Sequence, residues 1–153
     1  DVIPNPKLTE TYGIRYTTIE EVFQQSDFVS IHTPLLPTTR GMVSDRLLNM
    51  MKPSAYLINA ARGGVVDEMA LLRALRAGKI AGAGLDVFEE EPPGKTPFAD
   101  LPNVVLSPHV AANTPETVFR ISKLLEKNIF DTMAGRQPSL NVVNPGVLKN
   151  VTQ

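Results

Sequence analysis

The stretch Ala55-Tyr56-Leu57-Ile58-Asn59-Ala60-Ala61-Arg62-Gly63-Gly64-Val65-Val66-Asp67-Glu68 contains a strand, a polar loop and a helix start in fourteen residues. Ala55 to Ile58 has the length and apolar content of a buried strand. Arg62, Gly63 and Gly64 then break the apolar pattern with a guanidinium and two glycines. Asp67 stands where a carboxylate caps a helix from Glu68 to Ala77, with Leu71, Leu72 and Leu75 on one face and Gly78 as its stop. The order strand, loop, helix is the repeating unit of an α/β sheet.

The same rhythm runs along the chain. Phe28-Val29-Ser30-Ile31, Ile80 to Leu85 and Val104-Val105-Leu106 are further short apolar runs. Their uninterrupted apolar character predicts parallel strands covered by helices on both faces. Thr18-Ile19-Glu20-Glu21 has the form of a capping box. Ser44 is placed to cap Asp45 to Met51, with Pro53 as a stop. Thr114-Pro115-Glu116 sets a cap, an N1 proline and an acidic residue at the start of a last helix. That helix is expected to turn Val118, Ile121, Leu124, Leu125, Ile129 and Met133 inward and to end at Gly135. Together these features predict an open α/β sheet with right-handed crossovers.

Composition narrows the function. Fifteen Lys and Arg against sixteen Asp and Glu leave a net charge of −1. The basic residues form no stripe, which argues against nucleic acid. No apolar run is long enough to span a bilayer and no signal-peptide pattern opens the chain. The absence of cysteine excludes disulfides and thiolate chemistry and fits a cytoplasmic setting. The thirteen prolines gather at the joints between elements.

In open α/β sheets ligands bind outside the carboxyl ends of the strands. Four predicted strand ends deliver His32-Thr33-Pro34, Asn59 to Gly64, Asp86 with Glu89-Glu90-Glu91, and Ser107-Pro108-His109. Arg62 is either an ordinary exposed loop arginine or a planar fork for a carboxylate; the glycines beside it favour close approach of a ligand. His109 is either a structural histidine or a proton donor working near neutral pH. His32 competes with it for that role. Three successive glutamates usually make a solvated loop, with room for one to face inward and orient a histidine. Asp86 is either a turn former or a partner for a ligand amide. Two histidines without helical pairing and no cysteine argue against a zinc site. Ser107 lacks the strand-turn-helix elbow of a nucleophilic serine.

Taken together, several motifs resemble the D-isomer-specific 2-hydroxyacid dehydrogenases. They are Ser26 to Leu35 with Thr38-Thr39-Arg40-Gly41, Met51-Lys52-Pro53 followed by Leu57 to Glu68, Gly84 to Pro92, and Pro102 to His109. Asn141-Val142-Val143-Asn144-Pro145 continues the resemblance, which covers almost the whole chain. It implies a partial Rossmann-like, doubly wound and mainly parallel domain over 1–136, and a tail, 137–153, crossing back toward a substrate domain. It implies NAD as cofactor, a small 2-oxo or 2-hydroxy acid as substrate and a homodimer as the full-length protein. It implies that Arg62 binds the substrate carboxylate, that His109 is the general acid/base and that Glu91 pairs with His109. Asp1 matches the acidic residue at the adenosine ribose, which favours NAD over NADP. Thr33, Pro34, Ala60, Ala61, the backbone of Arg62, Asp86, His109, Ala111 and Ala112 match positions around the nicotinamide.

The sequence departs from the family pattern in one large respect. The Gly-x-Gly-x-x-Gly turn that receives the pyrophosphate is missing, and Gly82-Ala83-Gly84 belongs to a predicted strand. Asp1-Val2-Ile3-Pro4 reads like the middle of a fold. The expectation is therefore the C-terminal portion of a dehydrogenase, without the first βαβ unit and the substrate domain, and weak or inactive by itself. A different class of function with the same motifs is an NAD(H)-sensing, corepressor-like binding protein. A third is an inert fragment that self-associates through sheet edges.

Overall fold

A computed structural model describes residues 3–136, 142–144 and 146. The described elements run α1 (Pro6–Tyr12), α2 (Ile19–Gln25), β1 (Phe28–Ile31), α3 (Asp45–Leu48), β2 (Tyr56–Asn59), α4 (Glu68–Arg76), β3 (Gly82–Leu85), a 3₁₀ turn (Pro97–Asp100), β4 (Val104–Leu106) and α5 (Pro115–Met133). The four strands form one parallel sheet in the order β1-β2-β3-β4. Ile31 pairs with Asn59, Asn59 with Leu85, and Leu85 with Leu106, so the carboxyl ends of all four strands lie in line.

The chain divides between Val110 and Ala111 into two compact units. The first holds the sheet and a core that includes Phe23, Leu47, Leu57, Val65, Leu71, Ile80 and Phe98. One sheet face is packed through Val29, Ile31, Leu57, Ala83 and Leu85. The other exposes Phe28, Tyr56 and Val105, with the Phe28 and Tyr56 rings stacked at 5.4 Å. Coverage of both faces, expected from the apolar runs, is not what the described residues show. Val, Phe and Tyr satisfy strand propensity on an open face as well as on a buried one, so the runs could not distinguish the two.

Helix starts follow the expected chemistry in most places. Asp67 accepts from the Ala70 amide at 2.9 Å, and Thr114 accepts from the Thr117 amide at 3.2 Å. Thr18 accepts from the Glu21 amide, but the Glu21 carboxylate does not complete a capping box. It turns to Thr17, Arg15 and Gln25 instead, with the Thr17 hydroxyl as its strongest partner. Ser44 makes no side-chain capping bond, and α3 closes at Leu48, before Met51.

In the second unit α5 is the one regular element among the described residues. The sequence pattern turns Val118, Ile121, Leu124, Leu125, Ile129 and Met133 inward. In the structure they are 40–78% exposed, and the buried residue of the helix is Asp131. A helical apolar stripe marks a face that favours burial but does not say which surface buries it. Asp131 is bonded by Lys127 and by Arg136 at 3.0 Å. The tail expected over 137–153 lies, apart from residues 142–144 and 146, outside the described residues.

Candidate active site

The site begins at the end of β2. Asn59 closes the strand and is buried. Its carboxamide spans the next turn: Oδ1 accepts from the Ala61 amide at 3.1 Å, and Nδ2 donates to the Arg62 carbonyl at 3.1 Å. The loop then needs both of its glycines. A Cβ on Gly63 would lie 1.7 Å from the Phe88 carbonyl oxygen, and Gly64 has φ 74°. Beyond it the chain is pinned where Gly41 donates to the Gly64 carbonyl and Val43 bridges Val66. Arg62 is carried on this frame with its side chain exposed and Nη1 donating to the Ala61 carbonyl at 2.7 Å.

A cavity of about 350 Å³ opens beside it, lined by His32, Thr33, Pro34, Ala60, Ala61 and Arg62. Residues from the ends of β1 and β2 therefore meet, as the strand register requires. Thr33 Oγ1 is buried here with no hydrogen-bond partner among the described residues. An unsatisfied hydroxyl beside a guanidinium is a donor set suited to a polar ligand, since a buried hydroxyl without a partner costs roughly 1–3 kcal/mol. His32 Nε2 lies 2.8 Å from the Ser30 hydroxyl.

The ends of β3 and β4 build a second cluster. Asp86 is 5% exposed. Its Oδ1 accepts from the Ser107 hydroxyl at 2.6 Å and from the Val110 amide at 2.9 Å, while its carbonyl accepts from the His109 amide at 2.7 Å. This grip holds His109 at φ 55°, a left-handed conformation that costs a non-glycine residue about 1–2 kcal/mol. The imidazole is thereby turned to Glu91, with Nδ1 2.7 Å from Oε2. Glu91 Oε1 accepts from the Phe88 amide at 3.0 Å. The His109 hydrogen bond first, then the Phe88 amide and the fields of His109 and Arg62, hold the Glu91 carboxyl below its ordinary value of 4.5. Glu91 is thus held in its carboxylate form, with one oxygen on the Phe88 amide and the other on His109 Nδ1.

Of the expected site residues, the structure brings Thr33, Pro34, Ala60, Ala61 and Arg62 to one cavity, and Asp86, Glu91 and His109 to one bonded cluster. The charge of Arg62 is the smallest of the influences that hold the Glu91 carboxyl down. Ala111 and Ala112 begin the second unit and are exposed. Asp1 lies outside the described residues. Of the three glutamates, Glu91 meets His109 as expected, whereas Glu89 is 3.7 Å from Arg40. Asn59 and Ser107 brace the site without having been assigned a role there. Their only sequence signal is position: a small hydrogen-bonding side chain directly at a strand end.

Fold and edge together define an open parallel α/β sheet, the class in which ligands sit outside the carboxyl ends of the strands. Comparison with known proteins makes this specific. Residues 1–111 match the D-isomer specific 2-hydroxyacid dehydrogenase NAD-binding domain, and the chain belongs to that family. Glyoxylate reductase of Thermococcus litoralis is 45% identical over 94% of this chain, and human D-3-phosphoglycerate dehydrogenase is 40% identical over 97%. Among solved structures, the NAD-complexed D-isomer specific 2-hydroxyacid dehydrogenase of Lactobacillus delbrueckii ssp. bulgaricus superimposes with a TM-score of 0.85 at 37% identity over 93% of this chain. The chain spans 43% of the Thermococcus protein, 28% of the human one and 47% of the Lactobacillus one. Its four-stranded parallel sheet is of the Rossmann-like α/β kind that these structural neighbours share.

Proposed function

We propose that this chain supplies the nicotinamide-facing and proton-transferring part of an oxidoreductase that interconverts D-2-hydroxy acids and 2-oxo acids. The observation that carries the reading is the Glu91–His109 pair, 2.7 Å apart within the field of Arg62. Thr33, Pro34, Ala60 and Ala61 hold the nicotinamide end of the cofactor in this reading, with the Thr33 hydroxyl as a donor or acceptor to it. Bound NADH supplies the hydride. Arg62 leaves the Ala61 carbonyl and takes the substrate carboxylate in a two-point grip, which orients the neighbouring carbonyl. His109 gives a proton from Nε2 to that carbonyl oxygen as its carbon is reduced, and Glu91 stabilises the imidazolium beforehand. In the reverse direction neutral His109 accepts the hydroxyl proton. The reading extends to a cytoplasmic homodimer, supported by the absence of cysteine and by apolar side chains left exposed on the sheet and on α5.

The test is NADH oxidation by the polypeptide that carries this chain, assayed with 2-oxo acids and with the corresponding 2-oxo amides. Acids should be reduced and amides should not, and Arg62→Ala should erase the difference. Equal use of acids and amides by the unaltered protein contradicts the reading.

A further inference from the structure

Glu68 opens α4, one residue after its cap, and the capping chemistry there belongs to Asp67. The Glu68 carboxylate does something else. Its Oε1 accepts from the Glu89 amide at 2.6 Å, across twenty-one residues of sequence. The peptide it holds is the one that shapes the acid–base pair. On its one side Phe88 donates its amide to Glu91 Oε1 at 3.0 Å. The Phe88 carbonyl is the group on which Gly63 rests. On its other side the Glu89 carboxylate reaches Arg40 at 3.7 Å, an exposed pair of little energetic weight. The backbone at Phe88–Glu89 is thus fixed from α4 and from the arginine loop, and in turn fixes one oxygen of Glu91.

We propose that Glu68 is a positioning residue for the Glu91–His109 pair. It acts through the Phe88–Glu89 peptide and couples the loop bearing Arg62 to the loop bearing Glu91. The positioning needs an acceptor oxygen at the end of a side chain of this length, which a carboxylate and a carboxamide both offer. Glu68 sits where α4 begins, so the helix carries the fixed end and the loop is the part held. The catalytic consequence rests on the function proposed above; the geometric one does not. An acidic residue in a first helical turn also interacts favourably with the helix dipole. Glutamine separates the two roles, because it keeps the acceptor oxygen and loses the charge.

The chain contains two histidines, so its imidazole NMR signals are assignable by comparison with His32→Gln. In Glu68→Ala, and in Glu68→Met, which keeps the side-chain length and helix preference, Glu89 amide exchange should accelerate on the order of tenfold. The His109 ring signals should move toward those of Glu91→Gln. Glu68→Gln should leave both near wild type. Unmoved His109 signals in Ala and Met, or an equal shift in Gln, overturn the proposal, since a helix-dipole role loses the same charge in all three. In the polypeptide that carries this chain, Glu68→Ala should lower kcat for the 2-oxo acid about tenfold, with KM little changed. Shifted ring signals with unchanged kcat would count against His109 as the acid while the positioning assignment stands.

Discussion

The arginine loop after β2 and the histidine turn after β4 lie on the same sheet edge, yet they are built by opposite means. Around Arg62 the frame is neutral: a buried asparagine amide, two glycines and a bridge to Val43. The guanidinium itself rests on the carbonyl of its own neighbour. Around His109 both frame and functional group are held by carboxyl side chains, the frame by Asp86 and the ring by Glu91. In the proposed reading, Arg62 binds a charged substrate and profits from a weak resting contact it can surrender. A proton donor profits from a fixed orientation and a fixed charge partner. The contrast separates side chains that should tolerate change from those that should not.

The most severe structural break should come at the contact between the two loops. Gly63→Ala places a methyl within the van der Waals radius of the Phe88 carbonyl. It should destabilise the first unit by about 3 kcal/mol or more, because backbone and not a flexible side chain must give way. Chemical denaturation measures this. Next in size, Asn59→Ala leaves the Ala61 amide and the Arg62 carbonyl without their partner, costing about 1–3 kcal/mol. Under the proposed function it should raise KM for the acid more than it lowers kcat, the reverse of Glu68→Ala.

The histidine turn offers the opposite sign. His109→Gly relieves a left-handed residue and should offset, by about 1 kcal/mol, the loss of the Glu91 contact. Its thermal midpoint should then match or exceed that of His109→Ala. Weakest of all is the pH dependence. Glu91, Glu20, Glu21 and Asp131 are all held below their ordinary carboxyl values. Each contributes stability that is present above its unfolded value, 4.5 for the glutamates and 3.8 for Asp131, and lost as pH falls through its lower folded value. Glu91→Gln should flatten part of that decline in melts taken between about pH 5 and pH 2.

Much of this is readable from the sequence because local chemistry and fold agree here. Strands β1, β2 and β4 are legible in runs containing Val or Ile, whereas β3, Gly82-Ala83-Gly84-Leu85, has neither; the start of α4 is legible in Asp67. The position of Arg62 follows from a cation and two glycines after an apolar run. The illegible part is set by contacts distant in sequence. Nothing near Glu68 indicates that it meets Glu89, and nothing near Ser107 indicates that it holds Asp86. The pairing of Glu91 with His109 is implied by family resemblance, and geometry supplies its 2.7 Å. The open sheet face and the exposed stripe of α5 defy the sequence pattern for one reason: apolar patterning records which surface favours burial and is silent on what covers it.

Proton donation by His109, oriented by Glu91, is tested most directly by kcat for NADH-dependent reduction of a 2-oxo acid. The polypeptide carrying this chain is compared in wild type and in His109→Gln. The expected result is a loss of about 10²- to 10⁴-fold with substrate binding largely retained. A His109→Gln variant that turns over within a fewfold of wild type would contradict it.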